Sequence, residues 1–394
     1  MSLRRIGVLT GLELRQRVRR PGFYVLLGVF FLVVVGITWL GSLIFSGDSY
    51  LPSGVASVAL YGVLLMVVLV TPTFTGNAIN GERDAATLAP VQVTLATTTE
   101  ILLAKLLAGW TTGLVYLVVA LPALIFAFAR GAGRPEGVTM IADGSAGSVG
   151  QSIGTLAVAL VILIVEIGIV SAIGVGLSAV IARPLFSVAA TYLIVMLLVL
   201  GTLIAFALGT LAFRTPASLM TESPSGVYVE TGTADALPSC DDDAAPCLAD
   251  RPDLSETCVE VRGWSEFPRT DRVWWVLAAN PFVVLADATP TIYDAYGYPA
   301  DLFGQLKLGI RYAQQPPELE VVDWSDPCDG EPASAALGYE VSDDATSREI
   351  IESSTPSWFV GLGVQLTLAA GLMLWGVART RTPSRGTPPG SRIA

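Results

Sequence analysis

Uncharged apolar runs divide the chain. They cover residues 21–47, 49–81, 106–129, 144–182, 184–213 and 353–378, and only Glu166 interrupts one of them. A helix needs about 20 predominantly apolar residues to cross the hydrocarbon core. The pattern therefore predicts an all-α polytopic membrane protein with six transmembrane helices, and an even number of spans places both ends of the chain on one side. The first run is 27 residues long. That exceeds the roughly 7–15 residues of a signal-peptide apolar region, and no small-residue cleavage site follows, so residues 21–47 read as a retained span.

The polar stretches between runs give the remaining organisation. Leu3, Ile6, Leu9 (or Val8), Leu12 and Val18 form an approximately helical apolar stripe, with arginines largely between them. Residues 1–20 thus read as an interfacial helix whose basic face meets lipid head groups. Residues 21–213 hold five spans, with a long loop at 76–102. Residues 214–356, punctuated by Pro, Gly and Asp, are expected to form an α/loop insertion between the fifth and sixth spans. Short helices are expected over 272–285, where Trp274 and Trp275 suit a membrane interface. Residues 357–378 are the sixth span. The tail, 379–394, is rich in Pro, Gly and Arg and is expected to be disordered.

Charge adds an orientation. The chain carries 23 Lys plus Arg against 34 Asp plus Glu. Residues 214–356 hold 26 acids and 8 bases, whereas the rest holds 8 acids and 15 bases. Basic residues flank the spans at Arg4, Arg5, Arg15, Arg17, Arg19 and Arg20, at Arg83 and Lys105, at Arg183, and at Arg379, Arg381, Arg385 and Arg392. The positive-inside rule puts all of these in the cytoplasm, leaving the acidic block extracytoplasmic. Cys240, Cys247, Cys258 and Cys328 all lie in that block. Two disulfides are expected there, with three pairings open. Lys105 and Lys307 are the only lysines among the bases, and an acid-rich, lysine-poor composition is expected of a protein facing high salt.

Composition also excludes chemistry. Histidine is absent, which removes Ser–His and Cys–His catalysis and His-ligated zinc. No C-x-x-C pair is present, so no metal site is expected, and Asp241-Asp242-Asp243 reads as a solvated acidic loop rather than a calcium site. A polyacidic block repels nucleic acid. Neither lysine is followed by Ser or Thr, so the chain has no P-loop for ATP.

The loop at 76–102 is longer than a connection between spans requires. Glu82, Arg83 and Asp84 give it a charged face, and Thr97–Thr99 offer a helix N-cap. Glu82, Arg83, Thr87 and Leu88 match an E-R-x-x-x-T-L stretch after a second span, and Glu100, Ile101 and Lys105 match an E-I-x-x-x-K stretch opening a third. Together with the N-terminal L-E-L-R-Q-R-V-R-R-P-G-F-Y, which contains Glu13, and with Ala279-Asn280-Pro281-Phe282 before the last span, this order resembles the membrane subunit of type-2 ABC exporters. Leu95 and Ala104 stand where that family usually has proline and glycine.

The resemblance implies an elbow helix at the N-terminus and a coupling helix near 77–90. It implies a separate ATP-binding subunit that holds ATP and Mg, and a second permease chain, identical or not. It implies a non-catalytic transport subunit with Glu82, Arg83, Thr87 and Leu88 at the contact with the ATPase. With the composition, it points to a halophilic archaeal source.

Glu166 is the one acid inside a span. A carboxylate there marks a candidate translocation path, since ionisable groups at membrane depth are usually functional. Ser171, Ala172, Gly174, Gly176 and Ser178 follow it and read as a close-packing face. A membrane-embedded enzyme would need a second acid or a nucleophilic cluster at that depth. The alternative reading is a sensor or scaffold with a disulfide-bonded outer domain.

Overall fold

A computed structural model describes residues 2–45, 54–81, 97–132, 149–224, 258–293, 297–317, 320–322 and 346–380. Two compact units make up the chain. The larger contains an N-terminal helix and six helices long and apolar enough to cross a membrane. These are α1 (Leu3–Val18), α2 (Pro21–Ile44), α3 (Gly54–Thr75), α4 (Thr98–Ala132), α5 (Val149–Val180), α6 (Pro184–Ala212) and, at the end of the chain, α11 (Ser357–Thr380). The protein is a multi-pass membrane protein, with every expected span present.

Burial orders the bundle. The most apolar window of α3 is 72% buried and that of α5 56%, against 17% for α2 and for α6. Helices α3 and α5 therefore form the centre, and α2 and α6 present apolar side chains outward. Leu60, Leu64, Leu124, Leu163 and Ile167 anchor the core. The small residues of α5 work as packing surfaces. A Cβ on Gly176 would lie 2.8 Å from the backbone of Leu372 in α11, and one on Gly174 would collide with Thr75 of α3. Only residues without side chains let backbones approach so closely.

Helix α6 carries a π turn at Leu197–Gly201. Such a turn displaces carbonyls from the regular ladder. The side chain of Asn280 donates to the Val199 carbonyl at 2.7 Å and to Thr202 Oγ1 at 3.0 Å. Its oxygen accepts from the Phe282 N–H at 2.9 Å, as the N-cap of a short helix that begins with Pro281. Asn280-Pro281 thus stops one helix, starts another and satisfies the bulge.

Between α6 and α11 the larger unit contains α7 (Trp274–Ala278), α8 (Pro281–Ala288), α9 (Leu302–Tyr312) and α10 (Ser347–Ser353). The expected helices over 272–285 are present as α7 and α8. The smaller unit departs from the expected α/loop insertion, since it holds a three-stranded sheet. β1 (Arg214–Pro224) lies between β2 (Cys258–Pro268), which is antiparallel to it, and β3 (Glu320–Val322), which is parallel. Val259-Glu260-Val261-Arg262 has the strand period of two. The described residues are mostly helical, as expected of an all-α polytopic membrane protein, and the sheet corrects only the expected α/loop character of the insertion.

Candidate functional site

The residues that carry the sequence motifs meet where α1 packs on the start of α4. Thr97 and Glu100 form a reciprocal capping box. The Thr97 N–H donates to Glu100 Oε2 at 2.9 Å, and the Glu100 N–H donates to Thr97 Oγ1 at 3.3 Å. This starts α4 at Thr98, several residues before the uncharged run begins. The same carboxylate accepts the Ser2 N–H at 2.7 Å through Oε1, and Arg5 Nη1 lies 3.6 Å from Oε2. Glu100 therefore serves the N-terminal ends of two helices, where a negative charge meets the positive end of each macrodipole.

One turn further, Lys105 Nζ donates to Glu13 Oε1 at 2.5 Å, and Thr10 Oγ1 donates to the Ala104 carbonyl at 3.3 Å. Arg17 then donates to Thr112 Oγ1 at 3.1 Å and to the Phe74 carbonyl at 3.2 Å, with its guanidinium 5.5 Å from the Phe74 ring centre. Arg5, Thr10, Glu13 and Arg17 follow helical spacing, so α1 docks by a polar face. Its stripe is left outward, with Leu3, Val8, Leu12 and Val18 exposed and Ile6 buried. An outward apolar stripe suits a helix that lies against lipid.

A cavity of about 710 Å³ opens beside this joint, under the C-terminal half of α1. Glu13, Gln16, Arg17, Arg20 and Lys105 are among the residues that line it. Burial first, and then the like charge of Arg20, push the Arg17 guanidinium below its ordinary pKa, while Glu13 opposes them.

The exit from α3 is also anchored. Ser178 Oγ accepts the N–H groups of Ile79 at 2.9 Å and Asn80 at 3.3 Å, and Asn80 Nδ2 donates to the Ile181 carbonyl at 2.6 Å. The chain entering the expected coupling loop is thus held to the C-terminal end of α5. Glu82, Arg83, Thr87 and Leu88 lie outside the described residues, as do Cys240, Cys247 and Cys328. Cys258 opens β2.

Glu166 is 1% exposed on α5 and is hydrogen-bonded by the Gln365 side chain of α11. Gln365 Nε2 also donates to the Ala279 carbonyl at 3.0 Å. Glu166 Oε1, Gln365 Oε1 and Ser171 Oγ are buried without a hydrogen-bond partner. The carboxyl therefore sits at a helix–helix contact, and it does not line the cavity beside α1.

Sequence reasoning missed a buried charged group among α8, α9, α10 and the start of α11. Arg311 Nε lies 2.8 Å from Asp287 Oδ1 and its Nη2 3.1 Å from Oδ2, while Nη1 donates to the Ser354 carbonyl at 2.7 Å. Asp287 also accepts the Trp358 N–H at 3.0 Å. Lys307 donates to the Thr289 carbonyl and to Thr291 Oγ1, and Asp301 caps α9 by accepting the Gly304 N–H at 2.9 Å. The signal was Lys307 and Arg311 four apart on one helix face. Among the described residues, no group of three His, Cys, Asp or Glu side chains is placed to hold a metal ion.

No protein-family model matches the chain, and a search of the curated proteins returns no match.

Proposed function

We propose that this chain is the membrane subunit of an ABC exporter, driven by ATP hydrolysis on a separate ATP-binding subunit. The observation that carries the reading is the joint at α1. Glu13, Glu100 and Lys105 belong to two separate motif stretches, and Glu13 and Lys105 are 92 positions apart, yet all three hold the interfacial helix to the third span. Asn280-Pro281 adds a structural role for the third stretch, joining the π turn of α6 to α8.

In this reading residues 82–90 contact the ATPase through Glu82, Arg83, Thr87 and Leu88. The anchoring of Ile79 and Asn80 on α5 supports it. A push on a loop attached firmly to a central helix is transmitted to the bundle, and a push on a slack loop is absorbed. Two permease chains assemble with two ATPases, both termini face the cytoplasm, and residues 214–356 face outward. Both lysines are buried, Lys105 at 3% and Lys307 at 6% exposure. The charged surface is therefore made of Arg, Asp and Glu, which supports a high-salt setting.

A photoreactive residue at position 83 tests the contact in native membranes. The expected product is a cross-link to an ATP-binding protein, absent when the probe is moved to the exposed Trp39. Cross-links to lipid alone at both positions would remove the coupling role.

A further inference from the structure

The cavity beside α1 has a chemistry that the transport reading does not use. Three cations, Arg17, Arg20 and Lys105, and one acid, Glu13, are among the residues that line it. Lys105 is engaged with Glu13, so the surplus positive charge comes from Arg17 and Arg20. Arg17 is fixed in place by Thr112, the Phe74 carbonyl and the Phe74 ring. Its guanidinium is thus already ordered, which reduces the entropy lost when an anion binds. Arg20, which also lines the cavity, is exposed.

Apolar and aromatic side chains line the cavity as well. Phe23, Leu26 and Phe74 line it, and Tyr116 lies among them with ring centres 5.9 Å from Phe23 and 5.8 Å from Phe74. Tyr116 is 1% exposed, and its hydroxyl has no hydrogen-bond partner. A buried hydroxyl is normally bonded. Here it belongs to a residue lining the cavity. The volume lies within the roughly 300–1,000 Å³ of small-molecule sites. Its lining combines cationic side chains with apolar and aromatic ones, beside a helix whose outward stripe suits lipid.

We propose that this cavity binds one anionic phospholipid. The phosphate lies between Arg17 and Arg20. The first carbons of the chains lie over Phe23, Leu26 and Phe74. Anionic lipid held here would tie α1 to α2, α3 and α4 at the foot of the bundle. The inference stands whether or not an ATPase partner exists.

Native mass spectrometry of the full-length, detergent-purified protein tests it. The probes are dihexanoyl phosphatidylglycerol, dihexanoyl phosphatidylcholine and inorganic phosphate, at one fixed ionic strength. The expected result is retention of one phosphatidylglycerol, with half-saturation at least about tenfold below that for phosphatidylcholine. Inorganic phosphate should neither be retained nor compete at the same concentration. Two variants should each weaken phosphatidylglycerol binding by about tenfold or more, the loss expected when a charge-assisted contact or the space itself is removed. Arg20→Glu reverses a charge at an exposed position. Gly22→Leu fills the cavity from a position where an added Cβ meets nothing within 4 Å, so both variants should keep the parent's melting temperature. Equal retention of the two lipids, competition by phosphate alone, or unchanged binding in both variants would overturn the proposal.

Discussion

Arg311→Met gives the largest stability effect that the fold predicts. Arg311 and Asp287 are 6% and 0% exposed at their side chains, so solvent screens their contact very little. The substitution removes two charge-assisted hydrogen bonds to Asp287, at 2.8 and 3.1 Å, and one to the Ser354 carbonyl at 2.7 Å. Hydrogen bonds to charged groups contribute about 1.5–3 kcal/mol each. Stranding one member of a buried pair costs about 3–5 kcal/mol. Three such bonds would sum to about 4.5–9 kcal/mol, an upper bound because contacts within one network are not additive, so the loss expected is that of stranding the buried partner, about 3–5 kcal/mol.

The double variant Asp287→Leu/Arg311→Met removes both charges. It should recover much of the loss, because apolar replacement of a buried pair is often near neutral. Full recovery is not expected, since the Trp358 N–H loses its acceptor, at about 1–3 kcal/mol. The assay is thermal unfolding in a fixed detergent, followed by tryptophan fluorescence. The single variant should melt several degrees below the parent, and the double variant should lie between them. A single variant as stable as the parent, or a double variant no better than the single, would refute the reasoning.

Other outcomes follow from the same contacts. Burial raises the Asp301 carboxyl to about 6, against the opposing Gly304 N–H and Lys307. The folded state therefore binds this proton more tightly than the unfolded chain does. Stability from this group is greatest below about pH 4 and declines as pH rises toward 6, by up to about 3 kcal/mol; Asp301→Asn should flatten that slope in melting curves taken across this range. Gln365→Leu removes the Glu166 hydrogen-bond partner and should lower stability by about 1–3 kcal/mol in the same melt, whereas Glu166→Gln should cost less than about 1 kcal/mol. Gly361→Ala places a Cβ against the Ala278 carbonyl, and overpacking of this kind costs about 1–3 kcal/mol. Lys105→Met should loosen α1, seen as several-fold faster amide exchange over Leu3–Val18 with little change in α5.

The spans were legible in the sequence because each is an uncharged run of sufficient length, which a membrane demands and few other structures show. Their ends were less legible. Glu100 and Lys105 broke the run that precedes the third span, yet both are inside α4, since Ser2, Arg5 and Glu13 meet their charges. Those partners lie far away in sequence, so no local pattern reveals them. The buried group of Asp287, Asp301, Lys307 and Arg311 lay hidden within the acidic block at 214–356 for the same reason. Charge counting cannot separate a paired, buried charge from an exposed one. The sheet was missed where β1 contains Pro216 and lacks clean alternation, and where its partner strands lie far along the chain. Of the candidate site, Glu100 and Lys105 were found by motif, while their partnership with α1 came only from the fold.

Co-purification tests the partnership with an ATP-binding subunit most directly. Tagged protein is drawn from native membranes in mild detergent, and bound ATP hydrolysis is compared with that of a Glu82→Ala/Arg83→Ala variant of equal melting temperature. The expected result is an ATP-hydrolysing subunit bound to the parent and largely lost from the variant. Absence of any ATP-binding protein from the parent, across several mild detergents, would contradict it.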